Sequence, residues 1–509
     1  MNPTRLQETL GSGRGRNRLC CLLALVALVF AGCARRQPPP NIIWIVWDTV
    51  RADRMSLYGY SLETTPHLDR LSGSARVFDA AAVSCWTLPS HASMFTGLYP
   101  GEHGVNSIAG KLDARFETVA DILSGEGYET YLFSANPFIS SRTDLSRGFQ
   151  TQEHPDDEAL AERARTLLLD KMDPADRGNP IARRLKALRG GAWFVKAVGE
   201  LANERFLSFL DGREAGTPFF GFLNYMEAHR IRVPPRRFLE RVLGTAEVDA
   251  AYAFDRSQKR FQGVSLGLAD PFSAEERTLI GATYDATILE LDALLAELFE
   301  ALQSRDLLED TVIVLTSDHG EQLGERGSYL HQYSLDEDLL SVPLVLWAPG
   351  HLTPGREPMP VSTIDLFPTL LEIAGVDRPA PPGVSSLLGR PSRRPLVAEY
   401  IEPYEPVLKK FEAANPEWDS SPFRRSLRSL RVDSEKLVWS STGPVELHDL
   451  GTDGGEDEDL AAERAERSAE LAELLRDWVE ARRLLSDGGL SETSLTEDEK
   501  ELLRSLGYL

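Results

Sequence analysis

The sequence predicts an α/β fold in which helices sandwich a mostly parallel β-sheet, with a smaller antiparallel subdomain towards the C-terminus. The first observation is that short apolar runs alternate along the chain with segments of helical periodicity, which is typical of a parallel sheet covered on both faces. The second is that two of these runs, Asn41–Asp48 and Thr311–Asp318, are largely apolar and end in an acid. The third is a change to short strand-like segments after the proline-rich stretch 379–383.

Composition and charge exclude several classes of protein. The chain has 509 residues, of which 42% are hydrophobic and 26% are charged, and this composition is too apolar for a disordered protein. The formal net charge of −23 disfavours nucleic acid as a partner, because an acidic surface repels the phosphate backbone. Four cysteines in the whole chain are too few for a disulfide scaffold.

The N-terminal segment is predicted to be an export signal. Leu19–Phe30 is apolar throughout and follows three arginines, but it is too short to span a bilayer unaided. The Ala31-Gly32-Cys33 sequence after it resembles the cleavage site of bacterial lipoproteins. Residues 1–32 are therefore expected to be removed and Cys33 to be lipidated, with 33–40 as a tether; an uncleaved anchor is the alternative. The expected location is the bacterial cell envelope, anchored to the membrane and facing the periplasm or the exterior.

The rest of the chain is predicted to form a larger domain over residues 41–378 and a smaller one over 379–485, with a tail over 486–509. Residues 155–275 are charged and helix-rich, and they are interpreted either as a lid over the rim of the sheet or as a plain insertion. The predicted strands are Asn41–Asp48, Glu129–Ser134, Pro218–Tyr225, Thr311–Asp318, Val342–Trp347, Pro395–Tyr400, Ser429–Ser440 and Val445–Leu450. The predicted helices are Thr118–Gly125, Ala159–Asp170, Val198–Leu210, Ala274–Leu302, Asp365–Ala374 and Leu460–Leu485.

Polar residues at the ends of two predicted strands form a candidate metal site. Asp48 ends the first strand, and Asp318 and His319 end another that comes much later in the chain. Because open α/β sheets bind their ligands at the carboxyl ends of the strands, these side chains are expected to meet. Two carboxylates and one imidazole favour a zinc or manganese ion, with calcium and magnesium as alternatives. Taken singly, each acid is equally compatible with a helix cap or a surface position.

A short helix is predicted to begin beside Thr87. Pro89 suits the first turn of a helix and Gly97 suits its end, so the Thr87 hydroxyl is expected at a helix N-terminus, where the dipole favours an anion. A hydroxyl bound there to a divalent cation can lose its proton near neutral pH and attack phosphorus or sulfur. The alternative is that Thr87 only caps the helix.

Six segments along the chain point together to one enzyme family. They are PNIIWIVWDTV (40–50), RADRMSLYGY (51–60), TLPSHASMFTGLYPGEHGV (87–105), SDHGEQLGERG (317–327), VSTIDLFPTLLEIAG (361–375) and VELHDL (445–450). In this order they resemble the sulfatase family of the alkaline phosphatase superfamily, and the resemblance covers roughly residues 40–460. It implies an alkaline-phosphatase-like fold, a divalent metal ion and the hydrolysis of an ester.

The resemblance also assigns the metal ligands and the nucleophile. Asp48, Asp318 and His319 match metal-binding positions of the family, and Thr87 stands at the nucleophile position, where it would also contact the metal. Sulfatases carry a cysteine or serine there, which is oxidised to formylglycine; threonine is a secondary alcohol and cannot yield that aldehyde. Cys85 lies two residues too early to replace it.

Thr87 is similar in role to the nucleophile of nucleotide pyrophosphatases and phosphoethanolamine transferases, which form a phospho-threonine intermediate. An ordinary alkoxide suits phosphoryl transfer, whereas the aldehyde hydrate of sulfatases releases sulfate by elimination. The family therefore implies a sulfatase, while the nucleophile favours a phosphate or phosphonate ester.

Histidines and one asparagine complete the set of site residues that the resemblance implies. His229 is expected to polarise the ester oxygen or to protonate the leaving group, and His91 replaces the arginine of the family's nucleophile motif as a catalytic candidate. His103 and His331 are expected to contact the substrate, and His331 is also a candidate ligand of a second metal. Asn136 stands where many sulfatases carry a pocket lysine, so it is expected to contact the substrate.

The main hypothesis is thus a lipid-anchored, extracytoplasmic ester hydrolase that holds one divalent metal ion and attacks its substrate with Thr87. Its partners would be an ester and, through Cys33, the membrane. Three alternatives remain open at this point. They are a true sulfatase acting on sulfuric esters, a phosphotransferase that passes the group to an alcohol, and a non-catalytic binding protein of the cell surface.

Overall fold

The structure, a computed structural model, describes residues 39–171, 197–254 and 258–483. The described strands are β1 (Asn41–Trp47), β2 (Arg76–Ala81), β3 (Glu129–Ser134), β4 (Thr151–Glu153), β5 (Phe219–Tyr225), β6 (Thr311–Thr316), β7 (Gln322–Leu323), β8 (Tyr329–Leu330), β9 (Ser341–Trp347), β10 (Gly355–Ser362), β11 (Leu396–Tyr400), β12 (Leu427–Val432), β13 (Glu435–Ser440) and β14 (Glu446–Asp449). Eight of them form one sheet in the order β10-β2-β9-β6-β1-β5-β3-β4, and β7 pairs with β8.

The large sheet is mostly parallel, as predicted. Strand β1 lies at its centre, parallel to β5 on one side and to β6 on the other, and β3 continues the parallel pairing beyond β5. Only β9, among the described strands of this sheet, runs in the opposite direction, since it is antiparallel to both β6 and β2. The carboxyl ends of β1, β3, β5 and β6 therefore lie along one edge of the sheet.

Strand β1 can occupy the centre because nearly every residue in it is apolar. Ile42, Trp44 and Val46 belong to the core on one face, where the rings of Trp44 and Phe222 meet edge-on with centroids 5.6 Å apart. The alternate residues of the strand belong to the core on the other face. This period of two, with both faces apolar, is what a strand in the middle of a doubly covered sheet requires.

Helices cover both faces of the sheet. They are α1 (Pro66–Leu71), α2 (Thr87–Thr96), α3 (Pro100–His103), α4 (Val119–Gly125), α5 (Ala161–Lys171), α6 (Gly199–Gly212), α7 (Arg236–Leu243), α8 (Val248–Phe254), α9 (Gln258–Ser265), α10 (Ala274–Gln303), α11 (Glu337–Leu340), α12 (Leu366–Ile373), α13 (Glu405–Ala414) and α14 (Ala465–Arg483). Helix α10 has 30 residues and begins at a capping box, in which the Ser273 side chain accepts from the backbone N–H of Glu276.

A second sheet lies in the C-terminal part of the chain, as predicted, with four antiparallel strands in the order β11-β12-β13-β14. The prediction of a single strand over Ser429–Ser440 was wrong, because this stretch forms the hairpin of β12 and β13. The turn lies at Asp433 and Ser434, in a run of polar residues between the two strands, and the backbone of Asp433 has φ at 55° where the chain reverses. Leu430, Leu437 and Leu471 of α14 meet in the core of this region.

Three strands of the large sheet, β2, β4 and β10, were missing from the prediction. Strand β2 has charged residues at Arg76 and Asp79 that interrupt its apolar pattern. Strand β10 contains two prolines and lies at one edge of the sheet, the position at which a strand tolerates proline. Strand β4 has three residues, too few to show a pattern.

The segment 155–275 contributes more than helices, because β5 lies within it and pairs with β1 and β3 in the centre of the sheet. The predicted signal 1–32, the lipidated Cys33 and the tail 486–509 lie outside the described residues. Within the part of the chain that the structure describes, none of the helices has both the length and the apolar character needed to cross a bilayer.

Candidate functional site

The ends of β1 and β6 bring three predicted residues together. Val46 of β1 pairs with Thr316 of β6, and each chain continues for two residues before Asp48 and Asp318 are reached. The backbone N–H of Thr49 then donates to Asp318 Oδ1 over 3.2 Å, which ties the two strand ends together. Ligand atoms of Asp48, Asp318 and His319 lie within 4.8 Å of one another, and all three residues are fully buried.

The donor atoms of this cluster fit a divalent metal ion. Asp48 Oδ1 and Asp318 Oδ2 are buried and have no hydrogen-bond partner, although a buried carboxylate oxygen normally needs one. His319 Nδ1 lies 2.9 Å from the carbonyl oxygen of Gly320, and since a carbonyl can only accept, Nδ1 carries the proton. Nε2 therefore keeps its lone pair, as a metal-binding histidine requires. Two carboxylates and one imidazole suit zinc or manganese.

The electrostatics of the cluster favour the same interpretation. Burial, followed by the negative charge of Asp318, raises the pKa of Asp48 to about 7, and burial raises the pKa of Asp318 to about 6. Burial also lowers the pKa of His319 to about 4, so this imidazole is neutral near pH 7. A cation that binds here displaces protons from the two carboxylates and replaces them as the balancing charge.

Thr87 lies at the edge of the cluster, as the sequence predicted. It is the first residue of α2, after an extended Trp86, and the helix ends at Gly97 with φ at 70°. Thr87 Oγ1 lies 3.3 Å from His319 Nε2. The hydroxyl thus occupies the first turn of a helix, where unpaired backbone N–H groups and the dipole favour negative charge. Ser90 Oγ fixes the helix to the strand end by donating to the Asp318 carbonyl over 2.6 Å.

Asn136 joins the cluster to the nucleophile candidate. Its Nδ2 lies 2.9 Å from Asp48 Oδ2 and 3.3 Å from Thr87 Oγ1. The orientation of the amide is fixed, because its Oδ1 accepts from the backbone N–H of Phe138 over 3.0 Å. Asn136 therefore contacts the side chains of the site itself and presents a donor to the Thr87 oxygen.

His91 lies directly beneath the nucleophile candidate. Its Nδ1 is 3.0 Å from the Thr87 carbonyl and 3.5 Å from Asp318 Oδ2. The ring is completely buried and packs edge-on against Phe95 and Phe222, and this burial lowers the pKa of His91 to about 3. The structure thus places a neutral imidazole against the backbone of Thr87 and does not pair it with the hydroxyl.

His103 is not brought to the cluster. Its Nε2 lies 3.0 Å from Ser93 Oγ, and its Nδ1 accepts from the backbone N–H of Val105 over 3.0 Å. Burial lowers the pKa of His103 to about 3. Both ring nitrogens are therefore used for contacts with α2 and with the turn after α3.

Two predicted histidines extend the site away from the metal ligands. The ring of His331 lies 4.6 Å from the ring of His319, and the ring of His229 lies 5.2 Å from that of His331. His229 Nδ1 lies 2.6 Å from the Arg230 carbonyl, and His331 Nδ1 lies 3.1 Å from Glu321 Oε1. The three imidazoles form a row that leads from the cluster towards the insertion.

Three residues of the site were not predicted from the sequence. Asn224 is the penultimate residue of β5 and places Nδ2 3.4 Å from Asp48 Oδ2. A search for polar residues within the carboxyl ends of the predicted strands, as well as directly after them, would have identified it. Glu321 contacts His331, and Arg232 lies 3.0 Å from Glu321 Oε2. These last two carried no signal beyond their proximity in sequence to predicted residues, because the contact depends on how two loops fold.

Comparisons with known proteins agree with this site and fold. The arylsulfatase K of Gallus gallus is 26% identical over 510 residues, covering 92% of this chain and 88% of its own length. The choline-sulfatase of Rhizobium meliloti (strain 1021) is 27% identical over 440 residues, with 81% of each chain covered. Among solved structures, the phosphonate monoester hydrolase of Agrobacterium radiobacter has a TM-score of 0.67 at 22% identity, covering 90% of this chain and 100% of that one.

The family comparison extends over most of the molecule. The family described as Sulfatase matches residues 40–376, which include β1 with Asp48, helix α2 with Thr87, and β6 with the residues that follow it. The protein therefore belongs to the sulfatase family and is an ester hydrolase of that family.

Proposed function

We propose that this protein hydrolyses a phosphate or phosphonate ester with Thr87 as its nucleophile and a divalent metal ion held by Asp48, Asp318 and His319. The observation that carries the proposal is the position of Thr87 Oγ1, 3.3 Å from His319 Nε2 at the N-terminus of α2. A threonine that only capped the helix would not need to lie beside two buried carboxylates that each have one oxygen without a hydrogen-bond partner.

The metal ion, when bound, lowers the pKa of a coordinated hydroxyl and neutralises charge on the group being transferred. The protein's own residues stabilise the negative charge on the attacking oxygen. Asn136 Nδ2, 3.3 Å from Thr87 Oγ1, supports negative charge on this oxygen, and the N-terminus of α2 adds the positive end of the helix dipole. Thr87 Oγ1 then attacks phosphorus, the bond to the leaving oxygen breaks, and water later releases the group from the threonine.

His229 and His331 lie on the side where the leaving group would be placed. Both are almost fully buried, with exposed fractions of 4% each, and both use Nδ1 for contacts within the protein. For His331, Nε2 is therefore the ring atom that can bind the ester or transfer a proton to the leaving oxygen, and the ring of His229 lies next to it. Asn136 and the neutral His91 hold the opposite side of the site.

The choice of phosphorus over sulfur depends on the nucleophile. Similar proteins include an arylsulfatase, a choline-sulfatase and a phosphonate monoester hydrolase, so a sulfate ester is the second candidate substrate. Threonine favours phosphorus, because it cannot become the aldehyde on which sulfate release by elimination depends. Cys85 does not supply that aldehyde either, since it lies in the core with its side chain fully buried.

The proposal includes an extracytoplasmic site of action. The apolar segment Leu19–Phe30 and the Ala31-Gly32-Cys33 sequence support export and attachment to the membrane through a lipid on Cys33. Replacement Cys33→Ala is expected to release the protein from the membrane fraction of cells without changing turnover. Retention of this variant in the membrane would favour an uncleaved anchor.

The decisive experiment compares four esters in the zinc- or manganese-loaded protein: an aryl sulfate, a phosphate monoester, a phosphodiester and a phosphonate monoester. Thr87→Ala is expected to abolish turnover, and Thr87→Ser is the matched control because it keeps the hydroxyl. Mass spectrometry of acid-quenched protein is expected to find a covalent adduct on the peptide that contains Thr87. Full activity of Thr87→Ala would refute the proposal.

The same panel separates the alternatives. Faster turnover of the sulfate than of any phosphorus ester would identify a sulfatase of unusual type. A product in which added alcohol has captured the phosphoryl group would identify a transferase, because an alcohol and water can both discharge a phospho-threonine. An absence of metal binding, with Asp318→Ala unchanged in every property, would identify a binding protein.

A further inference from the structure

A buried chain of three side chains leads to His331. Arg232 Nη2 donates to Glu321 Oε2 over 3.0 Å, and Glu321 Oε1 lies 3.1 Å from His331 Nδ1. The side chains of Arg232 and Glu321 have exposed fractions of 0% and 1%. Burying such a pair costs desolvation energy that a hydrophobic pair would not cost, so the pair needs an explanation beyond stability.

Glu321 can only accept a hydrogen bond from His331. Its Oε2 is occupied by the guanidinium of Arg232, and its Oε1 faces His331 Nδ1. A carboxylate paired with a guanidinium accepts hydrogen bonds at both oxygens, so His331 Nδ1 carries the proton that lies between the two side chains. The remaining polar atom of the ring, Nε2, is thereby left for other contacts.

Arg232 also connects this carboxylate to the segment that carries His229. Its Nε donates to the carbonyl of Ala228 over 2.7 Å, and its guanidinium lies 4.9 Å from the ring centroid of Tyr284. The hydroxyl of Tyr284 donates in turn to the carbonyl of Thr49 over 2.7 Å, one residue beyond Asp48. Arg232 therefore contacts the carboxylate that binds His331, the backbone next to His229, and the tyrosine that is bonded to the end of β1.

We propose that Arg232 and Glu321 are positioning residues, which hold His331 between His319 and His229 with Nδ1 bound inward and Nε2 presented to the leaving-group side of the ester. This inference rests on the proposed function, since it gives His331 a task in that reaction. A carboxylate that orients an imidazole through its second nitrogen is a recurring arrangement around metal sites and catalytic histidines.

The kinetic test uses Glu321→Gln, which keeps the shape of the side chain but removes its charge. We expect kcat to fall by about 10- to 100-fold, the usual cost of losing a residue that orients a site histidine, with a larger loss for esters of poor leaving groups than for activated aryl esters. KM and the metal content are expected to change little. Glu357→Gln is the control, because Glu357 on the edge strand β10 is also a buried glutamate that pairs with an arginine, the partly exposed Arg76.

The spectroscopic test does not depend on turnover. In the metal-free and the zinc-loaded protein, the ring ¹⁵N shifts of His331 are expected to show a proton on Nδ1, and Glu321→Leu is expected to remove this preference. A His331 with no proton on Nδ1 would overturn the proposal even in an active enzyme. An inactive wild-type protein would refute the proposed function, while the ¹⁵N shifts would still decide the position of the His331 proton.

A purely structural role makes a different prediction. In that case Glu321→Gln would lower the free energy of unfolding, as Glu357→Gln does, and the loss of kcat would be equal for good and poor leaving groups. Equal losses across the leaving-group series would therefore overturn the proposal. Partial recovery of the leaving-group dependence in Glu321→Asp, which restores the charge at a shorter reach, would support it.

Discussion

Two buried clusters of acidic groups differ in the cation that balances them. In the first, Asp48 and Asp318 lie beside His319, and none of the described lysines or arginines forms an ion pair with either carboxylate. In the second, Glu200, Glu227 and Glu290 come as close together as the members of the first. The second cluster, however, surrounds an ammonium group of the protein itself.

That ammonium belongs to Lys171 at the end of α5. Its Nζ contacts Glu290, lies 3.0 Å from Glu200 Oε2 and 3.6 Å from Glu227 Oε1, and donates to the Ala197 carbonyl over 2.7 Å. Burial opposes the charge on Lys171, but the three carboxylates outweigh it and raise the pKa of the lysine.

The difference teaches how to distinguish a structural cluster from a functional one in the same molecule. Proximity of three acidic or imidazole groups is common to both clusters, so proximity alone decides nothing. The second cluster carries its own cation and ties α5 and α6 to α10. Carboxylate oxygens without a hydrogen-bond partner occur in both clusters, but no described lysine or arginine lies among those of the first cluster. The first cluster is therefore the one that can take up a cation from outside the chain.

The largest effect is expected from Asp318→Asn, which breaks the first cluster. Loss of one charged ligand should remove the bound metal and lower kcat by at least about 10³-fold, more than the 10- to 100-fold cost of losing a supporting residue. Metal analysis and ester turnover are the measurements. Asp79→Asn, an exposed aspartate paired with Arg356, is the control. Full metal content in Asp318→Asn would mean that the first cluster is not the metal site.

The second cluster is tested by Lys171→Met. Removing the ammonium leaves three buried carboxylates without a balancing charge, and the free energy of unfolding is expected to fall by about 3–5 kcal/mol, as measured by urea denaturation. Arg163→Met, on the same helix, removes an exposed ion pair with Glu204 and is expected to cost at most about 1 kcal/mol. The remaining folded Lys171→Met protein should keep its metal; loss of the metal would mean that the two clusters are not independent.

The pH dependence of metal binding sharpens the comparison further. Burial raises the pKa of Asp48 to about 7 and the pKa of Asp318 to about 6. In the metal-free protein, the protonated carboxylates therefore add to the free energy of unfolding at low pH. This contribution is lost as the pH rises through 6 to 7. A metal ion must displace these protons, so its apparent affinity should rise by about tenfold per pH unit for each proton displaced. Calorimetry in buffers of different ionisation enthalpy measures the proton release. Affinity that does not change between pH 5 and 8 would contradict the assigned protonation.

The smallest effect is expected from Cys85→Ala, two residues before the nucleophile candidate. Cys85 is near Thr87 in sequence, but its side chain belongs to the hydrophobic core with Trp86 and Leu88. The free energy of unfolding should fall by about 1 kcal/mol for the lost contacts, and turnover per folded molecule should not change. Loss of all turnover with normal folding would show that Cys85 takes part in the reaction.

The sequence predicted the parts of the fold and site in which local pattern and position agree. Apolar runs predict β1, β3, β5, β6 and β9, and the rule that ligands bind at the carboxyl ends of strands predicts that Asp48 and Asp318 lie together. Strand β10 could not be predicted in this way, because its two prolines argue against a strand. It forms only because it pairs with β2, and this contact is not visible in the local sequence.

Side-chain contacts between loops could not be predicted from the sequence for a different reason. His103 and His331 follow glycine-rich motifs in a similar way, yet only His331 reaches the row of imidazoles, and His103 turns back to Ser93. A motif fixes which residue types are present, while the direction of a side chain depends on contacts such as that between Glu321 and Arg232, which are far apart in the chain.

The central place of β1 has a consequence for how the chain folds. Asn41, its first residue, bonds to the neighbouring strands at Phe219 and Thr311, 178 and 270 residues later. During synthesis this apolar strand emerges long before its neighbours, since β5 follows it only after 178 residues and β6 only after 270. Pairings of such long range form slowly and leave unpaired strand edges exposed to aggregation. We therefore expect refolding in vitro to be slow and concentration-sensitive, and a holding chaperone to raise the yield of the native protein.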